Sequence, residues 1–289
     1  MAVKPLHRLQ TSYQQSISPI YIQRLCTSWL LFPIALATLR ALLALYIFTT
    51  IFTVFGLNDA RGNSEDTEHD FSYFTFLSYW GLAFYFAFAA AHTASYALRG
   101  RAWLEGWPAW LRWAHSALYV TVTVYPFVVT VVFWAVLASG AFRSPFTTWS
   151  NTSEHALNSV FAFAEIVLPC SEPHPWIQTA PIVVVAALYL ALAYVTQASE
   201  GFYVYYFLNP AHGRGLVAGA CIGILAAMII FFVVVRYLIL LRMWITEKKF
   251  GMTGKLSKSA IKRSTVVEDG HGEAMSELSK TGVRTVEQA

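Results

Sequence analysis

Residues 215–245 read GLVAGACIGILAAMIIFFVVVRYLILLRMWI, an apolar run broken by only two charges, Arg236 and Arg242. A helix needs roughly 20 mostly apolar residues to cross the hydrocarbon of a bilayer. This stretch exceeds that length, and its two arginines lie toward one end, where long side chains snorkel to the interface. Working outward from it, five further stretches meet or approach the same length: 28–57, 71–98, 112–139, 153–170 and 178–201. The run 153–170 is the most polar, with His155, Asn158 and Glu165, and reads as a tilted span or as a re-entrant segment. The expectation is an all-α integral membrane protein, a six-transmembrane-helix bundle over 28–245. A cytosolic segment, 1–27, precedes it and a disordered polar cytosolic tail, 246–289, follows it.

Composition agrees. The chain is 56% hydrophobic and 12% charged, against about 25% charged in a typical soluble domain. Too little polar surface remains to cover such a chain in water. The net charge is +4 and its basic residues are dispersed, so the concentrated basic face of a nucleic-acid binder is missing. Three scattered cysteines, Cys26, Cys170 and Cys221, give neither a disulfide framework nor a metal-ligand spacing. No metal and no cofactor are expected.

The connections set orientation. Arg24, then Arg99, Arg101 and Arg112, then Lys248, Lys249 and Lys255 fall in alternate connections, while the loop after the first span carries Asp59, Glu65, Asp66, Glu68 and Asp70. The positive-inside rule therefore places both termini in the cytosol, in an endoplasmic-reticulum-type or plasma membrane.

Ionisable and polar residues are costly within a membrane and point to function. Placed by depth, they form three layers. At the outer level stand Thr75, His155, Asn151, Asn158 and Glu200, with Trp149, Tyr203 and Tyr206. A threonine hydroxyl becomes a nucleophile when a base takes its proton, and histidine suits that task near neutral pH. The plainer reading has Thr75 bonding back to its own helix and His155 facing headgroups. At the middle level, Arg40 and Glu165 each lie about twelve residues into their spans from opposite sides, and an ion pair between them is expected as a structural strut. At the inner level, His92 and His115 are interfacial histidines or, in a cytochrome, axial haem ligands.

Three stretches carry a family resemblance. They are Phe71-Ser-Tyr-Phe-Thr75-Phe-Leu, Trp149-Ser-Asn151-Thr-Ser-Glu-His155, and the aromatic run from Tyr189 through Gly201-Phe-Tyr203-Val-Tyr205-Tyr206 to Pro210. With Tyr125-Pro126-Phe and Phe133-Trp134 between them, these resemble the family of androgen-induced gene 1 protein and androgen-dependent TFPI-regulating protein. The resemblance implies a multi-pass membrane hydrolase of fatty acid esters of hydroxy fatty acids, with Thr75 as nucleophile and His155 as base. Thr152 departs from the pattern, standing where family members carry a further histidine. Asn151, Asn158 and Glu200 are the candidates to orient the imidazole. Trp149, Tyr203 and Tyr206 are either the pocket mouth or the interfacial aromatic belt. Membrane lipids and a lipid ester are the expected partners. The rival class is a non-enzymatic lipid carrier or scaffold. A transporter is disfavoured, because Pro33, Pro126 and Pro181 do not recur at matching places in two halves.

Overall fold

The computed structural model of the chain describes residues 10–11, 13–15, 17–62, 64–139, 141–256 and 261. Residues 1–9 and most of the expected polar tail, from 257 on with 261 excepted, lie outside the described residues. A short helix α1 (Pro19–Leu25) leads into α2 (Pro33–Ala60), the small α3 (Ser64–Asp70), α4 (Phe74–Arg99) and α5 (Ala109–Val132). Then follow α6 (Pro145–Thr152), α7 (Asn158–Val167), α8 (Thr179–Glu200) and α9 (Arg214–Met243). Among the described residues there is no strand.

Five helices are long and apolar enough to cross a membrane: α2, α4, α5 with its extension to Leu137, α8 with its lead-in from Trp176, and α9 extended to Lys249. They mark the chain as a multi-pass membrane protein. The segment expected at 153–170 is not a sixth helix of that kind. It starts earlier, at Pro145, and runs as α6, a π-helical turn over Ser153–Leu157, and α7. Its polar residues explain the difference. Ser153, His155, Asn158 and Glu165 are all buried against neighbouring helices, so this segment is held by polar contacts rather than by apolar length.

Packing follows the apolar faces. The longest contact is between α2 and α4, where Ile47, Ile51, Tyr79, Ala83 and Phe86 are almost wholly buried. A second core joins α5, α7 and α9 through Val124, Val128, Ile166, Phe232 and Ile239. Helix α5 is the central element, in contact with α4, α7, α8 and α9. Helices α8 and α9 bury less of themselves than α2, α4 and α5; Val184, Leu188, Val195, Ile222 and Ile230 remain exposed, as suits lipid-facing helices.

The described N- and C-terminal stretches meet at one end of the bundle. The Ser28 hydroxyl donates to Leu168 O, the Trp29 indole to Val167 O at 2.8 Å, and Cys170 N to Thr27 O at 2.8 Å. These bonds satisfy carbonyls that a helix end leaves open. The chain beyond α9 returns to the same place, where Lys255 N donates to Ser28 O at 2.9 Å. Gly254 permits this return: its φ is +105°, and a Cβ there would stand 2.9 Å from the Cys170 sulfur.

Arg40 and Glu165 meet within the bundle, 2% and 3% exposed. Arg40 Nε donates to Glu165 Oε2 at 3.1 Å, and Nη2 to Oε1 in a second bond. Arg40 Nη1 also donates to Leu25 O at 3.0 Å and to the Thr93 hydroxyl at 2.5 Å, while the Tyr85 hydroxyl donates to Glu165 at 2.7 Å. The histidines His92 and His115 stand next to each other instead of facing across an open space, with ring centres 5.1 Å apart and Trp103 and Trp107 against His92. That spacing leaves no room for a macrocycle between them.

Two predictions follow from this packing. Removing one partner of a buried pair costs about 3–5 kcal/mol, because the other charge is left uncompensated. Arg40→Met and Glu165→Leu should each lower melting in detergent strongly, and the double variant should recover part of the loss. Wild-type melting in both single variants would refute the strut.

The second concerns His174, in the connection between α7 and α8. It bonds the Thr123 hydroxyl through Nε2 at 2.9 Å. Burial, helped by the charge of Arg236, pushes its imidazole down to about 3. The folded value lies below the ordinary 6.5, so between these values the unfolded chain binds the extra proton. Stability should therefore fall as pH drops below about 6.5. His174→Gln should lessen that dependence by the share of one proton, and melting curves of the two proteins from pH 4 to 7 decide it.

Candidate active site

Thr75 occupies the first turn of α4, after the N-cap Tyr73. The position matters chemically. Elsewhere in the bundle Thr50, Thr93, Thr123 and Thr246 each donate their hydroxyl to the carbonyl four residues back. At the start of a helix no helical carbonyl lies four residues behind, so this local bond is closed to Thr75. Thr75 lines a cavity of about 240 Å³ bordered by α4, α5, α8, α9 and the connection before α9. Val128, Val132, Ala186, Leu190, Ile224 and Met228 make most of its wall apolar. The Tyr205 phenol neighbours both the Thr75 hydroxyl and Tyr189. Tyr205 lies outside the spanning helices, and burial pushes its phenol upward, so it remains a protonated hydrogen-bond donor.

His155 sits in the π-helical turn between α6 and α7, which packs against α4 and α5. A π turn inserts one residue into the helical path, displaces the hydrogen-bond ladder, and recurs at functional sites. Here the Trp134 indole donates to His155 O at 2.9 Å. The imidazole lies flat on Phe133, with ring centres 3.5 Å apart and planes 1° from parallel. It is 7% exposed, and its Nδ1 is buried with no hydrogen-bond partner. Phe133 opens a π turn of its own at the end of α5 and also lines the cavity that Thr75 lines. Phe133 thus stacks on His155 and shares with Thr75 the lining of one cavity. Thr75 and His155 are not hydrogen-bonded to each other.

The expected orienting residues are placed otherwise. The Asn158 carboxamide accepts from the Thr130 hydroxyl at 3.1 Å, and its Nδ2 reaches Pro126 O at 3.5 Å, so it braces α5 near its proline. Asn151 Nδ2 donates to Ala141 O at 3.2 Å and ties down the preceding loop. Glu200 is exposed at the C-terminus of α8. None of the three holds the imidazole; a polar residue one turn away in sequence is as free to bond a neighbouring helix. The aromatic candidates are also redistributed. Tyr203 packs on Tyr194, and Tyr206 is 53% exposed beside Phe207. Trp149 lines a separate open pocket with Tyr46, Phe142 and Arg143. Tyr189, Tyr205 and Phe207 line the Thr75 cavity in their place. The residues missed in the sequence, Phe133, Trp134 and Tyr205, sit within the stretches that carry the resemblance, but composition alone does not separate them from their aromatic neighbours.

Comparison with family models, with curated proteins and with solved structures finds no match.

Proposed function

We propose that the chain crosses the membrane six times with both ends in the cytosol, and that it is an intramembrane, threonine-dependent hydrolase of fatty acyl esters. The topology is supported by the meeting of the two described termini at one end, which requires an even number of crossings. Five long helices plus the polar path α6–α7 supply six. Lys and Arg in alternate connections make that end cytosolic.

The observation that carries the enzymatic reading is the hydroxyl of Thr75, free of its own helix and beside Tyr205, in the lining of a cavity built mostly of hydrocarbon. A long acyl chain fits such a wall, and the ester carbonyl then stops beside the hydroxyl. His155 is the base. Catalytic hydrogen bonds are often open before substrate binds and close in the complex, so bound ester draws the imidazole past the Phe133 edge to the hydroxyl. His155 takes the proton of Thr75, whose oxygen attacks the carbonyl carbon. The alkoxide of the ester leaves with that proton, and an acyl group remains on Thr75. Water, giving its proton to the same imidazole, then releases the fatty acid and restores the hydroxyl. The Tyr205 hydroxyl neighbours the nucleophile and is assigned to the developing oxyanion. The resemblance to hydrolases of fatty acid esters of hydroxy fatty acids supports the same substrate class.

Purified protein should release fatty acid from esters of hydroxy fatty acids. Thr75→Ala and His155→Ala should each lose at least ~100-fold in kcat/KM while melting like wild type. Tyr205→Phe should lose ~10–100-fold in kcat. Activity that survives both Thr75→Ala and His155→Ala would exclude this pair. Binding of ester without turnover in wild type would instead make the cavity a lipid carrier's.

A further inference from the structure

The Thr75 cavity has a bottom as well as a mouth, and its dimensions restrict the acyl chain. On α5 and its extension the lining runs from Val128 to Leu137, on α8 from Val183 to Leu190 and on α9 from Cys221 to Met228. At ~1.5 Å of rise per residue these stretches make the cavity about 10–14 Å deep. A zig-zag hydrocarbon advances ~1.25 Å per carbon, given C–C bonds of ~1.5 Å, so about eight to eleven carbons reach the bottom. Volume gives a second measure. An apolar cavity of ~150 Å³ accommodates benzene, or ~25 Å³ per carbon. At that density the cavity of about 240 Å³ holds about ten carbons.

Below the bottom the bundle is closed. Met228 is 2% exposed, and the layer beneath it is the core of Ile182, Phe232 and Val235, each without exposure. The Tyr125 hydroxyl bonds Ile182 O at 2.8 Å and fastens α5 to α8 at this level. A longer chain would have to displace close-packed side chains, which interiors resist. The lining contains no Lys, Arg, Asp or Glu, so the end of the chain that enters first is a methyl and not a carboxylate.

We infer that the acyl arm transferred to Thr75 is of medium length, about eight to ten carbons, and that Met228 sets this limit. The inference rests on the hydrolase reading for its chemistry, but the length limit belongs to the cavity and is measurable without turnover.

The experiment uses full-length protein in detergent and one series of 4-nitrophenyl esters with acyl chains of 4 to 16 carbons. Competition of the free fatty acids of the same lengths against a fluorescent fatty acid gives binding. Expected are a kcat/KM maximum at 8–10 carbons and a fall of at least ~10-fold by 16, matched by the binding series. Met228→Ala should move the optimum up by two or three carbons. Ala187→Leu, which intrudes on the middle of the cavity, should move it down, and Val160→Ala, on an exposed face, should leave it in place. A profile that stays flat or rises to 16 carbons overturns the limit, as does an optimum unmoved by both cavity substitutions. If no ester is cleaved, the hydrolase reading fails. The binding series then still decides the length limit: an optimum at 8–10 carbons sustains it, and none overturns it.

Discussion

A guanidinium and a carboxylate held almost wholly out of solvent constrain everything around them. Arg40 and Glu165 are tolerable at this depth because nearly every donor and acceptor they carry is taken: two bonds join them to each other, and Leu25 O, Thr93 and Tyr85 supply three more. Five bonds tie α1, α2, α4 and α7 to a single point. Because an uncompensated charge there costs several kcal/mol, these four helices share a fixed register. The polar path α6–α7 is thereby kept inside the bundle, although its hydropathy alone would not place it there.

That fixed register has a consequence at the opposite end. Helix α7 is locked through Glu165 and also through Asn158 and Ser159, which bond to α5 around Pro126. The π turn at Ser153–Leu157, tied to α2 by the bond between the Ser153 and Tyr46 hydroxyls, sets His155 onto Phe133. The matching π turn at the end of α5 presents Phe133 and Trp134 to the ring and to the carbonyl of the same histidine. Two local distortions on neighbouring helices thus build one aromatic seat. The buried, unpartnered Nδ1 of His155 is the polar atom this seat leaves without satisfaction, and a catalytic role is one explanation for such an atom.

The cavity depends on the looser side of the molecule. Helices α8 and α9 are the least buried of the spanning helices, and they offer mainly aliphatic side chains, with a single methionine, to the cavity that Thr75 lines. Between the tightly packed α2–α4 pair and these two outer helices, α5 divides the bundle into a rigid half and a half that encloses apolar space. Thr75 belongs to the rigid half, so its hydroxyl is held steady at the edge of the more open one.

The class of the protein, its five long apolar helices and the meeting of Arg40 with Glu165 were legible in the sequence. They rest on quantities that are linear along a chain: apolar run length, charge by connection, and rise per residue. Thr75 and His155 were singled out by the same depth argument. What surrounds them was not. Asn151, Asn158 and Glu200 lie at suitable depths, yet the first two bond to other segments and the third stays exposed. Tyr205 and Phe207 line the cavity, whereas Tyr203 and Tyr206 beside them do not. The azimuth of a side chain around its helix decides such matters, and a single inserted residue in a π turn rotates every later side chain by about a third of a turn in α-helical terms. Sequence determined depth; only the packing of helices against one another decided direction, because direction accumulates from each local turn and is settled by contacts between residues far apart in the chain.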